Sequence, residues 1–535
     1  MSPAMPATRS LYLHAGLLVV QLAGVMAIGW STPFNSGFPL DDAWIHQTAA
    51  RNLIEHGTLG MIPGHFGSGT TSVLWVVLLA INHAVLHWPP SLYAAILGTS
   101  LLIIAGQSVF YCARRDGWES ARAWIFAALF SIGPNHAWFA LSGMEVCLGT
   151  ALLVLAILLW FSRPESPITA FSCGALLALL ILTRIESLLP CVLLFVLALR
   201  AHCKPTRLAW AALLPSIALV GYLGANITAT GHAAPSTLMG RRWMWFQEAA
   251  DWSWYEPRIQ LVAHWLDRLW QFTLAEPWLP LYWFLVGLSL IGLFNTCRQM
   301  GRMGVLVLVA IAQFGTYLIL LPIEGHGGRY QPLVAALFLP LICEGSRTIL
   351  LFVARTQPGL RRLAPIVPWL LPLALLPSLI ACLGKWSEAQ ELSVMHVNST
   401  EVRAGRWAAA LPHGARIASF DVGGISYFGN RRILDLGGLS DPSTLSDIRL
   451  GRVRERLEAE RVEYLVVPMG YSDDFPDPLC FTWRLGLLGR ERPKMDQILE
   501  FASHPALWAP GFIATLNCAP RQVVFHLTRD RQVQQ

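Results

Sequence analysis

The chain has 535 residues, of which 54% are hydrophobic and only 13% charged, with a formal net charge of +6. Soluble domains carry about a quarter charged residues, so this composition argues against a soluble fold, and its mean hydropathy of +0.48 agrees. The basic residues then read as topology signals; no basic run with interleaved aromatics occurs, and no nucleic-acid partner is expected.

In chain order, the first apolar run is Leu11 to Trp30. It is longer than a signal-peptide core and ends in Gly29-Trp30, so it reads as a retained span, with Arg9 marking an inner N-terminus. A polar loop continues to about Ser72. Further candidate spans lie near 92–112, 122–140, 146–161, 168–184, 187–200, 207–225, 279–295, 303–322, 331–354 and 363–382, about eleven in all.

Ser72 to His87 decides the orientation. It is apolar but short and ends at Trp88-Pro89-Pro90. If it lies along the outer interface, every basic loop falls inside: Arg114/Arg115/Arg122, Arg163, Arg200/Lys204/Arg207, Arg298/Arg302 and Arg355/Arg361/Arg362. The first loop, Gly143–Glu145, Arg184–Glu186, 226–278, Glu324–Arg329 and the C-terminal region then face outward. A transporter would place polar groups near the midplane and show two related halves; the span interiors here hold only isolated Gln, Ser or Thr, and no internal repeat is visible.

From about Gly384 the composition becomes soluble-like. Strands are expected at Ala415–Phe420, Arg432–Leu436, Val462–Val467 and Gln522–Leu527, with helices around Thr400–Ala410 and Asp447–Ala459. The expected architecture is an α-helical polytopic membrane protein (residues 1–383) with a C-terminal extracytoplasmic α/β domain (384–535). Residues 31–72 form the first outer loop and 73–88 an interfacial helix. Cys480 and Cys518 are the only cysteines of the C-terminal domain, and pairing and free thiols are both open. No CxxC or His-x-x-x-His zinc pattern occurs, and His46 and His65 look incidental.

The polar clusters carry the chemistry. Asp41-Asp42 opens a helical pattern that Gly57 stops; as a helix cap and first-turn acid it complements the helix dipole, but that role needs only one acid. Two adjacent carboxylates at a membrane edge are costly to desolvate and point to catalysis. Ser142-Gly-Met-Glu145 fits a capping box before an apolar run. Arg184-Ile-Glu186 reads either as an ion pair at a hairpin tip or as a ligand site. Pro235-Ser-Thr237, Arg241-Arg242 and Arg329-Tyr330 put arginines on the outer side, against the positive-inside trend; an arginine fork suits a phosphate, and contact with lipid headgroups is the plainer alternative. The Gly-Gly pairs after Asp421 and Asp435 lack dinucleotide-binding spacing and read as tight strand-end turns.

Together these segments form a pattern. Asp41-Asp42-Ala-Trp-Ile…Arg51-Asn52-Leu53…Gly57…Gly69-Thr70-Thr71-Ser72-Val73-Leu74-Trp75 resembles the first outer loop of multi-spanning GT-C glycosyltransferases. The branch with terminal arabinofuranosyltransferases is most similar; aminoarabinose transferases and protein mannosyltransferases are more distant. Ser142-Gly-Met-Glu145, Arg184-Ile-Glu186, Pro235-Ser-Thr237, Arg329-Tyr330 and Asp435-Leu-Gly-Gly-Leu resemble later signatures in the expected order. Three departures bear on sugar identity: Trp44 stands where the family has Tyr, Pro235-Ser-Thr237 replaces Pro-Asn-Thr, and the Arg241-Arg242 neighbourhood replaces the common Lys soon after it.

The resemblance implies an inverting glycosyltransferase in the bacterial plasma membrane. It would move a sugar from a polyprenyl-phosphate donor to a glycan, lipid or protein acceptor at the outer face. Asp41 and Asp42 would be catalytic, with Asp41 as base. Glu145, Arg184, Glu186, Thr237, Arg241, Arg242, Arg329 and Tyr330 would serve substrate and phosphate, and a divalent cation is left open. A lipid-diphosphate-dependent ligase or polymerase, a lipid-linked sugar transporter and an inactive scaffold are the competing readings.

Overall fold

The computed structural model describes residues 7–63, 71–161, 166–200, 204–233, 235, 237–238, 262, 266, 269, 273–274, 279–320, 326–330, 332–357, 367–440, 442–469, 495–503 and 521–527. Arg241, Arg242, His65, Cys480 and Cys518 lie outside the described residues. The chain divides into two compact units: residues 1–33, 95–220 and 252–388, and residues 34–94, 221–251 and 389–535.

Helices run in order as α1 (Ala7–Ile28), α2 (Asp41–His56), α3 (Val73–Ile81), α4 (Pro90–Arg115), α5 (Ser120–Ile132), α6 (Pro134–Leu141), α7 (Val146–Trp160), α8 (Pro167–Thr183) and α9 (Leu188–Arg200). There follow α10 (Pro205–Thr230), α11 (Leu279–Arg298), α12 (Arg302–Leu320), α13 (Pro332–Thr356) and α14 (Val367–Val397). Helices occupy all eleven expected span positions. Seven of them, α1, α4, α10, α11, α12, α13 and α14 with its continuation, are long and apolar enough to cross a membrane. The α6–α7 pair, bent by 114°, makes an eighth when taken as one span, and α5, α8 and α9 are shorter apolar helices. The chain is a multi-pass membrane protein.

Two expected outlines change. The 122–140 run is cut at Gly133-Pro134, because Gly133 leaves helical geometry (ψ 121°) and Pro134 starts a new helix. The last span does not stop near 382: α14 continues to Val397, leads through a π turn at Asn398–Val402 and joins the next helix, Arg403–Ala410.

In the first unit, helices approach to backbone contact where glycine allows it. A Cβ at Gly345 would stand 1.8 Å from the Leu288 carbonyl oxygen, and one at Gly292 2.0 Å from that of Leu341, so α11 and α13 pack without side chains between them. Buried charges are paired. Arg122 makes a two-pronged bond to Glu344 (2.8 and 2.6 Å) under the Trp118 ring, and Asp116 accepts from Arg302 at 3.1 Å and from the Met303 amide at 2.8 Å. Arg302 also donates to the Phe161 carbonyl at one end of α7, while Glu145 sits at the other end. Fifteen residues at about 1.5 Å each separate the two ends by about 22 Å. The loops around 116, 161 and 302 therefore gather at one end of this unit and Glu145 lies at the opposite end.

The second unit is built on a five-stranded sheet in the order β2-β1-β3-β5-β4. Its strands are β1 (Ile417–Ser419), β2 (Ile433–Asp435), β3 (Tyr464–Met469), β4 (Met495–Ala502) and β5 (Arg521–Leu527). β1 pairs in parallel with β2 and β3; β5 runs antiparallel to both β3 and β4. Side chains alternate between two cores, as strand geometry demands. Ala418, Leu434, Leu465, Val467, Val523 and Phe525 face one, with Leu445, Val453 and Leu457 from helices Pro442–Arg449 and Val453–Ala459. Ile417, Ile433, Val466 and Val524 face the other, where they meet Ile45 and Met61 of the first loop and Ala404, Ala408 and Ile425. The four expected strands are present within a residue or two. β4 was not expected: it is an edge strand carrying Asp496, Gln497 and Glu500, with a bulge between Gln497 and Leu499.

Candidate functional site

α2 starts after Pro39-Leu40, with Asp41 and Asp42 in its first turn and no side-chain cap. The acid pair is thus a first-turn pair, complementing the dipole without capping the helix itself. Gly57, at φ 65°, ends the helix in the left-handed conformation, and Asn52 closes the following turn by donating to the carbonyls of Gly60 (2.9 Å) and Met61 (3.1 Å).

Asp41 serves a different helix. Its Oδ2 accepts from the Gly423 amide at 2.8 Å and its Oδ1 from the Gly424 amide at 2.6 Å. These amides begin the short helix Gly423–Gly429, so Gly423-Gly424 opens a helix where a tight turn was expected. Ten residues further along α2, Arg51 donates to the carbonyls of Tyr427 (2.7 Å) and Ser426 (3.5 Å) and lies over the Tyr427 ring. α2 therefore grips both ends of Gly423–Gly429, acid on the amide end and base on the carbonyl end, in the sense the helix dipole favours. Trp44 fills the space between, against Phe38, Tyr427 and Phe428 at ring distances of 4.7–4.8 Å. The fit at Gly423 leaves no room for a side chain: a Cβ there would stand 2.1 Å from the Asp41 carbonyl oxygen.

More carboxylates stand around Asp41. Asp421 Oδ2 accepts from Gln522 Nε2 at 2.6 Å, and the same nitrogen donates to Glu401 Oε1 at 3.1 Å. The Thr400 hydroxyl donates to Glu401. Asp435, at the end of β2, accepts from the amides of Gly437 (2.8 Å) and Ser440 (2.6 Å), the strand-end turn that its sequence suggested. Asp41 keeps some accessible surface yet is densely enclosed. Burial and the negative charge of Asp421 push its carboxyl up to about 7, against the pull of the two glycine amides. Burial pushes Asp421 up to about 6, with Asp42 and Asp435 adding to the rise and the Gln522 bond opposing it.

A stability prediction follows from the sign of these shifts. Both carboxyls hold protons in the folded state well above the ordinary value of 3.8, so the folded chain binds more protons than the unfolded one between about pH 4 and 7. Their contribution is fully present below pH 4 and is lost as pH rises through 7. Thermal unfolding of the whole protein in detergent should give a Tm that falls across this interval, with a flatter profile for Asp421→Asn.

The second cluster belongs to the first unit. Ser142 and Glu145 do not form the capping box: Ser142 Oγ accepts from the Met144 amide, and Glu145 turns to Arg184, whose guanidinium donates to it at 2.8 Å. Arg184 also donates to Glu186 at 3.0 Å, and Glu186 accepts from the Tyr317 hydroxyl at 2.6 Å. The rings of Tyr317 and Tyr330 stack at 5.1 Å, with Arg184 close to both faces. Arg329 donates to the Tyr330 hydroxyl at 3.3 Å. Glu145, Arg184, Glu186, Arg329 and Tyr330, separated by up to 185 residues in sequence, are thus brought together. Arg184, Arg329, Thr150, Ser187 and Gln313 line a cavity of about 30 Å³, room for a water or two. Thr237 belongs to the second unit and is partly buried.

Among the described residues no group of three or more His, Cys, Asp or Glu is arranged to hold a metal ion, and both Asp41 oxygens are turned to backbone amides. Sequence reasoning did not find Glu401, Gln522 or Tyr317. A Gln in a strand and a Tyr in an apolar span carry no local signal; only the fold gives them acidic neighbours.

Residues 390–513 match a family model described as a domain of unknown function, DUF8728. No curated protein sequence matches the chain. Solved structures do. The oligosaccharyltransferase AglB from Archaeoglobus fulgidus, in complex with an inhibitory peptide and a dolichol-phosphate, superposes with a TM-score of 0.52 at 12% identity, over 86% of this chain and 70% of that one. ArnT from Cupriavidus metallidurans, bound to undecaprenyl phosphate, gives 0.50 at 13% identity, over 97% of this chain and 98% of that one. The same ArnT in the apo state gives 0.52 at 12%, over 96% and 98%. The chain shares the fold of these solved structures.

Proposed function

We propose that the protein is an inverting glycosyltransferase that takes a sugar from a polyprenyl-phosphate donor at the outer face of the bacterial plasma membrane and passes it to an envelope glycan, lipid or protein. The observation that carries this reading is Asp41: a carboxyl held in place by two backbone amides, at a pKa of about 7, beside a second acid in a chain of GT-C fold. A general base works best when its pKa lies near the working pH. The remaining lone pairs of Asp41 accept the proton of the acceptor hydroxyl as that oxygen attacks the anomeric carbon. The bond from that carbon to the phosphate oxygen breaks, its electron pair leaves with the lipid phosphate, and one displacement gives inversion. Asp42, partly exposed beside it, orients the acceptor.

The dolichol-phosphate and undecaprenyl phosphate named for AglB and ArnT support a lipid-phosphate donor for this chain. Arg184 is already balanced by Glu145 and Glu186, so its task is to hold those acids and the Tyr317–Tyr330 pair. Arg329, at the other side of this cluster, is proposed as a partner for the departing phosphate, with Arg241 and Arg242 as further candidates. Arg329→Gln should lower kcat/KM for donor roughly 10- to 100-fold, the value of a charge-assisted hydrogen bond. An unchanged kcat/KM in steady-state transfer kinetics would remove Arg329 from the donor site.

A further inference from the structure

We propose that Gln522 is a positioning residue for the base: its single amide nitrogen holds Asp421 and Glu401 together beside Asp41, and the charge of Asp421 sets the pH at which Asp41 takes up and gives back its proton. This deepens the glycosyltransferase reading and rests on it for its catalytic meaning.

The geometry is specific. Gln522 is 1% exposed, and its Nε2 reaches both acids, Asp421 at 2.6 Å and Glu401 at 3.1 Å. It is fixed by the sheet, since β5 pairs Gln522 with Pro468 of β3 and with Phe501 of β4. Two glycines bring the acids close. A Cβ at Gly424 would stand 3.0 Å from the Glu401 backbone, and one at Gly423 2.7 Å from the Asp41 carboxyl carbon. The charged groups that act on this cluster come from several elements: Asp42 beside Asp41 on α2, Asp421 after β1, Glu401 in the turn after α14 and Asp435 at the end of β2. The arginines of the neighbouring helix stack elsewhere, Arg403 on Phe501 and Arg406 on Phe428. The Gln522 bond stabilises the ionised form of Asp421, and an ionised Asp421 makes the ionisation of Asp41 harder. The acids therefore titrate as a set rather than singly.

The sign of the effect is defined. Gln522→Met removes the donor, so Asp421 keeps its proton to higher pH; Asp41 then faces less negative charge and ionises at lower pH. Asp421→Asn keeps an acceptor for Gln522 and removes the charge outright, with the same direction. The test is an infrared titration of protonated carboxyl groups in the whole protein with isotope-labelled aspartate, wild type against Asp421→Asn and Gln522→Met, with the pH profile of transfer alongside. The expected result is a midpoint that falls by about one pH unit or more in each variant, together with the acidic limb of the rate profile. A midpoint that stays in place in Asp421→Asn, or a uniform loss of rate at every pH, would overturn the proposal. If the wild type transferred no sugar, the enzyme reading would fail, and the infrared midpoints would still decide this one.

Discussion

Asp41→Asn is expected to cut sugar transfer by roughly 10²–10⁴-fold and to destabilise the protein by about 1–3 kcal/mol at the same time. The two effects share a cause. Asn has one carboxamide oxygen for the two amides of Gly423 and Gly424, and its NH₂ group would face a second N–H donor. The substitution therefore removes the base and also loosens Gly423–Gly429, so loss of activity alone would not identify a base. Two companions separate the roles. Asp42→Asn leaves the amide grip intact, so its loss of rate reports on acceptor orientation. Gly423→Ala leaves both acids in place but forces a methyl against Asp41. Transfer rates and thermal unfolding of all three, side by side, give the check. Full stability in Asp41→Asn would contradict the grip.

Arg184→Gln is the second large effect. It leaves Glu145 and Glu186 buried without their shared cation, and breaking such a group costs about 3–5 kcal/mol, a large part of an ordinary stability margin. The variant should accumulate poorly and unfold at markedly lower temperature in detergent. Arg184→Lys should recover only part of the loss, because a single ammonium cannot serve both carboxylates with the geometry of the guanidinium fork. Adding Glu145→Gln and Glu186→Gln to Arg184→Gln should restore most of the stability by removing the stranded charges. If the triple variant were as unstable as Arg184→Gln, packing of the Arg184 side chain on the two tyrosines, rather than charge pairing, would be its main contribution.

Local signals explain what the sequence disclosed. α2 was legible from end to end because its acids, apolar spacing and Gly57 all act within one helix. Four strands were legible because Ile417, Ile433, Val466 and Val524 alternate with neighbours that face the opposite core. What stayed hidden depended on partners distant in sequence. Ser142…Glu145 has the spacing of a capping box, yet Glu145 finds Arg184, 39 residues away. Gly423-Gly424 is a poor helix start by propensity, yet Asp41 supplies a negative charge from 382 residues earlier. The break at Gly133-Pro134 was concealed by the apolar residues on both sides. The acid pair was the clearest candidate in the sequence; that Asp41 lies near further carboxylates was hidden, because Glu401, Asp421 and Gln522 are distant in sequence and meet only in the fold.

The most direct test of the central claim is transfer in proteoliposomes. Wild type, Asp41→Asn and Asp42→Asn would each be offered a panel of polyprenyl-phosphate sugars, including arabinofuranose and mannose, and a lipid-diphosphate sugar. The account predicts that wild type consumes at least one monophosphate donor and passes the sugar with inversion to an acceptor or to water, on a pH profile whose acidic limb lies near 7, and that Asp41→Asn consumes it at least about 100-fold more slowly. Consumption of only the diphosphate donor, or undiminished turnover by Asp41→Asn, would contradict it.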